Sequence, residues 1–168
     1  MLRLRAQHFR GELFDDAGGE NDMRAVVTRV RSASVEIGGR INGAIGRGYL
    51  VLLGVGPNDT LDTAHKLADK ICNLRVFDDE NGKMNLNLET VGGSLLVVSQ
   101  FTLYADTSSR RPGFSHAAKP ELAVPLYEAF MARCRERGFA VEHGEFGAEM
   151  LVTSENDGPI TILFDTEQ

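Results

Sequence analysis

Val97-Val98-Ser99-Gln100-Phe101-Thr102-Leu103-Tyr104-Ala105-Asp106 begins as one kind of chain and ends as another. Leu95 to Val98 is a continuous apolar run after the turn signal Gly92-Gly93, which predicts a buried strand. Ser99, Gln100 and Thr102 then place polar side chains where the strand should still be covered. A buried polar group left unpaired costs about 1–3 kcal/mol. Polar atoms gathered at a strand end mark an internal hydrogen-bond network, the floor of a site, or a strand that simply surfaces. This stretch by itself leaves the three open.

Upstream, the chain reads as β. Val26, Val27, Val30, Ser34, Val35 and Ile37 form a β-branched run, and Gly38-Gly39 predicts a tight hairpin returning through Ile41 to Ile45. Tyr49 to Val55 suits a buried strand, and Gly56-Pro57-Asn58-Asp59 a loop. Leu61 to Leu74 is the first expected helix. Ala64, Leu67, Ala68, Ile71 and Leu74 keep the spacing of one buried face, with Asp59 or Thr60 as the cap. Arg75-Val76-Phe77 returns to strand, and Asp78 to Gly82 is a turn. Its acids lack the spacing and closing Glu of a calcium loop.

Downstream, Pro120 to Arg137 is the second expected helix, stopped by Gly138, with Leu122, Leu126, Phe130 and Cys134 as its buried stripe. Pro125 should bend its first turns. Val141 to Gly144, Met150 to Ser154 and Ile160 to Asp165 read as three short strands. Many strands with two main helices make an α+β domain built on a curved sheet.

With 168 residues, 42% hydrophobic and 25% charged, the chain has the make-up of a single globular domain. No apolar run has the length of a membrane span. Cys72 and Cys134 sit in ordinary amphipathic patterns without CxxC partners and read as small buried hydrophobes. The net charge of −6 argues against a surface that coats nucleic acid broadly. It leaves room for a protein that grips only an RNA end, because Thr107 to Pro120 carries Arg110, Arg111, His116 and Lys119 and no acid. Such a stretch is also what a solvated loop looks like. Residues 1–22 differ from the rest, with Arg3, Arg5 and Arg10 followed by five acids around Gly18-Gly19. They read as a flexible extension or the product of an upstream start codon, ahead of one domain at 23–168.

The familiar side-chain machines are missing. There is no G-x-S-x-G elbow, no H-E-x-x-H helix and no P-loop. A Ser or Thr nucleophile needs a base within hydrogen-bond reach. Ser99 and Thr102 have no histidine near in sequence, although His116 or His143 could approach in space. No metal site and no cofactor are indicated.

Near the C-terminus lies Asn156-Asp157-Gly158-Pro159-Ile160-Thr161. The pair SQFTLYAD, at Ser99–Asp106, and NDGPIT resembles the two signature motifs of the D-aminoacyl-tRNA deacylases. The likeness runs from Met23 to Asp165 and includes Gly82-Lys83-Met84-Asn85-Leu86 and Arg111-Pro112-Gly113-Phe114-Ser115. It departs from the family pattern in a 107–111 loop one residue shorter, in Gly113 where Ser is usual, in Ser154-Glu155 before Asn156, and in Glu145 where Arg is frequent.

The resemblance implies a β-barrel-like core, a cytoplasmic homodimer, and hydrolysis of the ester joining a D-amino acid to the 3′ end of tRNA. It implies that Ser99, Gln100, Phe101 and Thr102 position the ester and the terminal adenosine, that backbone N–H groups at Phe101 and Thr102 stabilise the oxyanion, and that the adjacent ribose hydroxyl assists the attack. It assigns selection between mirror images to a cis Gly158-Pro159 reaching into the partner's site, braced by Arg29, with Asn156 and Met84 nearby. A packing preference worth one methylene discriminates only about 10- to 200-fold, whereas rigid main chain has no rotamer with which to retreat. Glycine has no side chain to collide, so glycyl-tRNA is an expected off-target. Two rivals stand: a related deacylase with a trans Gly-Pro that clears mischarged L-aminoacyl-tRNA, and a non-catalytic nucleic-acid-binding module.

Overall fold

The computed structural model describes residues 23–166, so the N-terminal 1–22 lie outside the described residues. The sheet is ordered around β1 (Arg24–Ile37), which pairs along one edge with both β2 (Arg40–Ile45) and β3 (Gly48–Gly54). The other edge of β1 carries β8 (Leu151–Asp165). Beyond β3 come β6 (Ser94–Ser99) and then β7 (Val141–His143), both in parallel pairing. A small second sheet joins β4 (Phe77–Asp78) to β5 (Met84–Leu86).

Parallel neighbours need crossovers, and the two helices supply them. α1 (Leu61–Cys72) lies between β3 and β6, and α2 (Pro120–Glu136) between β6 and β7. Both cover one face of the sheet. Along β3, Tyr49, Val51 and Leu53 join the cluster under the helices with Leu95 and Val97 of β6. Leu50 faces the other way and packs with Leu96, Val98, Val30, Val35 and Ile45 inside the curved sheet. A strand buried on both faces needs apolar residues at every position, which is why β3 and β6 read as unbroken runs.

The sheet curls until β2 approaches β7. Asn42 Nδ2 donates to His143 O at 2.7 Å. A Cβ added at Gly43 would come within 3.0 Å of that carbonyl, so only glycine lets the strands draw this near. The result is a nearly closed, barrel-like sheet with two helices, the expected α+β architecture.

Local signals decide the helix ends. Thr60, not Asp59, caps α1: its side chain accepts from Thr63 N, and Thr63 Oγ1 accepts from Thr60 N. The Asp59 carboxylate instead takes the backbone N–H groups of Met23, at 2.9 Å, and Gly56, at 2.6 Å. α1 stops at Cys72, short of its expected end at Leu74, and α2 runs on through Pro125 to Glu136. The helices are joined by Asp69, which accepts from both Arg133 and Arg137. Cys72 and Cys134 are buried free thiols with sulfurs 3.7 Å apart. No described helix is long and apolar enough to cross a membrane.

Candidate active site

β6 does not surface. At Gln100 it breaks into a single 3-10 turn, Phe101–Tyr104. Gln100 N still donates to Leu53 O at 2.8 Å, the last rung of the ladder to β3. Leu103 N then turns back to Gln100 O, and Ala105 N to Thr102 O. A turn of this kind leaves its leading N–H groups, here those of Phe101 and Thr102, outside its own hydrogen-bond pattern. The polar side chains serve this turn: Gln100 Nε2 donates to Thr102 Oγ1. Ser99, Gln100 and Thr102 are half-buried, while Phe101 is 53% exposed.

The turn rests on residues that sequence reasoning passed over. A Cβ at Gly54 would meet the Tyr104 ring at 2.9 Å and Gln100 O at 3.1 Å, so the turn sits directly on a bare backbone. Tyr104 Oη donates to Gly54 O, and Arg24 lies over the Tyr104 ring while its Nη1 donates to Leu103 O at 3.1 Å. From the helix side, Tyr127 Oη donates to Val97 O at 2.9 Å. Burial pushes the Tyr127 phenol up to about 12, so it remains a neutral donor. The only sequence signal for Gly54 was a glycine ending an apolar strand.

The second motif lies within β8. Where three short strands were expected toward the C-terminus, the structure has β7 and then one 15-residue strand spanning both of the later segments. The register explains this. Thr28 pairs with Thr161 and Val30 with Asn156, so Asp157, Gly158, Pro159 and Ile160 stand opposite Arg29 alone. Proline has no N–H to give to the ladder, and the strand bulges where Pro159 falls. The Gly158-Pro159 peptide is cis. Gly158 has φ +123°, where an L side chain is strained, and a Cβ there would come within 3.0 Å of the Arg29 guanidinium.

Arg29 fills the gap that the bulge leaves. It is 7% exposed. Its Nε donates to Asp157 O at 3.0 Å and lies 3.4 Å from the Asp157 carboxylate. Its Nη1 donates to Val76 O at 2.6 Å and lies 3.7 Å from Asp78. Asp78 is the register partner of Met84, so Met84, itself 52% exposed, is brought to the same end of the barrel. Asn156 lies beside the bulge, exposed, accepting from Ser154 Oγ.

Within one chain the two motifs do not meet. Ser99 is level with Leu53, and Leu53 with Ala25 on β1. The bulge faces Arg29, four residues further along, about 13 Å at a strand's rise. It also lies on the opposite edge of β1 from β3 and β6. Among the described residues no histidine hydrogen-bonds to Ser99 or Thr102. His143 Nδ1 is engaged with Gly144 O, and His116 is exposed in the loop after the turn. Among the described residues no His, Cys, Asp and Glu are grouped to hold a metal ion.

A nearly closed barrel with two crossover helices is the fold of known tRNA-deacylase structures. A solved structure of a probable eukaryotic D-amino acid tRNA deacylase aligns at a TM-score of 0.74 over 86% of this chain and 99% of its own, at 17% identity. A second, of the c-Myc DNA unwinding element binding protein, aligns at 0.79 over 84% of this chain and 97% of its own, at 42% identity. Residues 26–165 match the D-Tyr-tRNA(Tyr) deacylase family, and the chain belongs to it. Relatives named D-aminoacyl-tRNA deacylase include those of Thermus aquaticus, 56% identical over 87% of this chain and 97% of theirs, and Bacillus pumilus, 55% identical over 87% and 100%. That of Roseiflexus castenholzii is 57% identical over 86% of this chain and 92% of its own. It is a family of hydrolases.

Proposed function

We propose that this chain hydrolyses the ester bond of D-aminoacyl-tRNA in the cytoplasm, releasing the free D-amino acid and tRNA. The observation that carries the reading is the turn at Phe101–Tyr104: it offers main-chain donors and a polar floor, and among the described residues no histidine hydrogen-bonds to Ser99 or Thr102. That arrangement suits a substrate that brings its own assistance. Water attacks the ester carbonyl, and the hydroxyl beside the ester on the terminal ribose takes part in moving its proton. The N–H groups of Phe101 and Thr102 receive the negative charge as it develops on oxygen. The tetrahedral intermediate then collapses, the ribose oxygen leaves with the proton, and the carboxylate of the amino acid is free. Ser99, Gln100 and Phe101 hold the ester and the terminal adenosine over the turn.

Selection against L-residues falls to Gly158-Pro159 of a second copy of the chain. Two features support this. One copy holds its bulge about 13 Å along β1 from the level of its own turn. β8 also exposes large apolar side chains, Leu151 at 61% and Leu163 at 65%. Arg29, Asn156 and Met84 shape the wall from behind. A wall made of main chain excludes a side chain by collision, so an L-residue is rejected and glycine is not.

The test is release of free amino acid from D-tyrosyl-, L-tyrosyl- and glycyl-tRNA, with light scattering for the oligomeric state. Rapid D-tyrosine release, slower glycine release and spared L-tyrosyl-tRNA from a dimer are expected. Preferential L-release would establish the L-specific rival. Binding without hydrolysis would favour a nucleic-acid-binding module, a reading that the 42%-identical DNA-unwinding-element-binding neighbour keeps in view.

A further inference from the structure

The acid-free stretch after the turn has a defined shape. Asp106 and Gly113 exchange backbone hydrogen bonds, N to O at 2.8 Å and 3.0 Å, closing a small hairpin over Thr107 to Pro112. Ser108 N donates to Asp106 Oδ1 at 2.9 Å, and that bond above all holds the Asp106 carboxyl below the usual carboxylate range. The one acid at the base is therefore engaged by the loop's own main chain. Ser109 Oγ donates to Arg111 O at 2.7 Å and shapes the tip.

The tip carries Arg110 and Arg111, both exposed. In this acidic chain, Arg24, Arg29, Arg31, Arg133 and Arg137 are all ion-paired with carboxylates. Among the described residues the guanidiniums of Arg110 and Arg111 have no acid, carbonyl or ring partner, a state shared only by Arg40 at the β1–β2 turn. Two adjacent cations without counter-charge repel each other and are relieved by an anion. The hairpin is also anchored to the site. Phe114, just past its base, meets Phe101 edge-on at 5.1 Å, and both rings are solvent-exposed. Arg110 is the fourth residue after Asp106, so the tip reaches at most about 14 Å from the base.

Unpaired arginines beside exposed aromatic rings are what single-stranded nucleic acid binds: guanidinium forks for phosphates, ring faces for bases. We propose that the Asp106–Gly113 hairpin is an RNA grip in which Arg110 and Arg111 hold backbone phosphates of the unpaired 3′ strand of tRNA. The Phe101–Phe114 contact then fixes the position of that strand over the 3-10 turn. The inference rests on the proposed function for its ligand, and it concerns affinity for the RNA rather than the chemistry of the ester.

The experiment measures binding of uncharged tRNA by fluorescence anisotropy from about 50 to 200 mM salt, for the native protein, R110A/R111A and R110K/R111K. Each phosphate contact to a single strand contributes about 0.7 to the slope of log affinity against log salt. The double alanine variant is expected to bind about tenfold more weakly and to lose about 1.4 from that slope. The double lysine variant is expected to keep most of it, since lysine supplies the same point charge. On D-tyrosyl-tRNA the alanine variant should raise KM and keep kcat. On the minimal ester D-tyrosyl-adenosine, which lacks the upstream phosphates, it should act as the native protein does. Unchanged affinity and slope would overturn the proposal, and so would an equal loss on both substrates, which would make the hairpin a support for the turn. If the native protein hydrolyses neither ester, the proposed function fails, and the anisotropy result still decides the role of the arginines.

Discussion

Two sets of arginines divide this molecule. Arg29 is buried, held by two backbone carbonyls and two carboxylates, and its position is part of the fold. Arg110 and Arg111 stand on an exposed hairpin with no intramolecular partner among the described residues. Between them lie Arg133 and Arg137, half-exposed, joining the helices through Asp69. The difference teaches that charge buried by the fold shapes backbone, whereas charge left outside is available to a ligand. An arginine's burial and partners, not its identity, separate the two uses.

The largest expected effect is at Arg29. Arg29→Ala leaves the Asp157 and Val76 carbonyls without their donor and uncouples the bulge from β4. Breaking such a buried arrangement costs about 3–5 kcal/mol, so urea titration should show a large fall in the midpoint, with hydrolysis lost as well. A fall under about 1 kcal/mol would mean that the bulge holds itself and would break the comparison. Gly158→Ala comes next. It forces an L side chain into φ +123° and against the same guanidinium. A stability loss of about 1–3 kcal/mol is expected, and the thermal midpoint measures it. Combining Gly158→Ala with Arg29→Ala sharpens the point: their costs should fall short of additive, because the share of the clash made by Arg29 disappears with its side chain while that made by Ile160 stays.

Asp69→Asn should cost less, under about 1 kcal/mol, because the pair is largely solvent-screened. Hydrogen bonding to Arg133 first, and to Arg137, holds the Asp69 carboxyl below its ordinary value. A lowered folded pKa stabilises the fold above the unfolded carboxylate range, and that contribution is lost as pH falls through the lowered value. Melting curves from pH 7 downward should therefore show a slightly flatter acid limb for Asp69→Asn than for the native chain. Smallest of all, Arg110→Ala should leave the unfolding free energy, read from thermal melting, within about 0.5 kcal/mol of native. A larger drop would place that arginine with Arg29.

Much of this was legible in the sequence. The helix at 61–74 was nearly right because Thr60 and the apolar spacing act locally. The hairpin at Gly38-Gly39 and the buried strands β3 and β6 follow from equally local signals. What was not legible depends on distant partners. Pro159 and Gly158 made β8 look like two strands, because the interruption is local and the pairing that bridges it belongs to β1. Of the expected stripe Leu122, Leu126, Phe130 and Cys134, Leu122 is only partly buried, and Ala123, Tyr127 and Met131 widen the buried face of α2, because the helix packs on the sheet and on α1 together. At the site, Ser99 to Thr102 stood out as polar residues after an apolar run. Gly54, Arg24 and Tyr104, which hold the turn, carry no local mark of that task.

The measurement closest to the central claim is the rate of D-tyrosine release from D-tyrosyl-tRNA by Thr102→Ala, with circular dichroism to verify the fold. The turn acts through main-chain N–H groups that alanine keeps, so release should stay within about tenfold of native. Loss of an essential proton-transfer group costs about 10²–10⁴-fold. A fall of that size in a folded variant would contradict the account and place the Thr102 hydroxyl in the reaction.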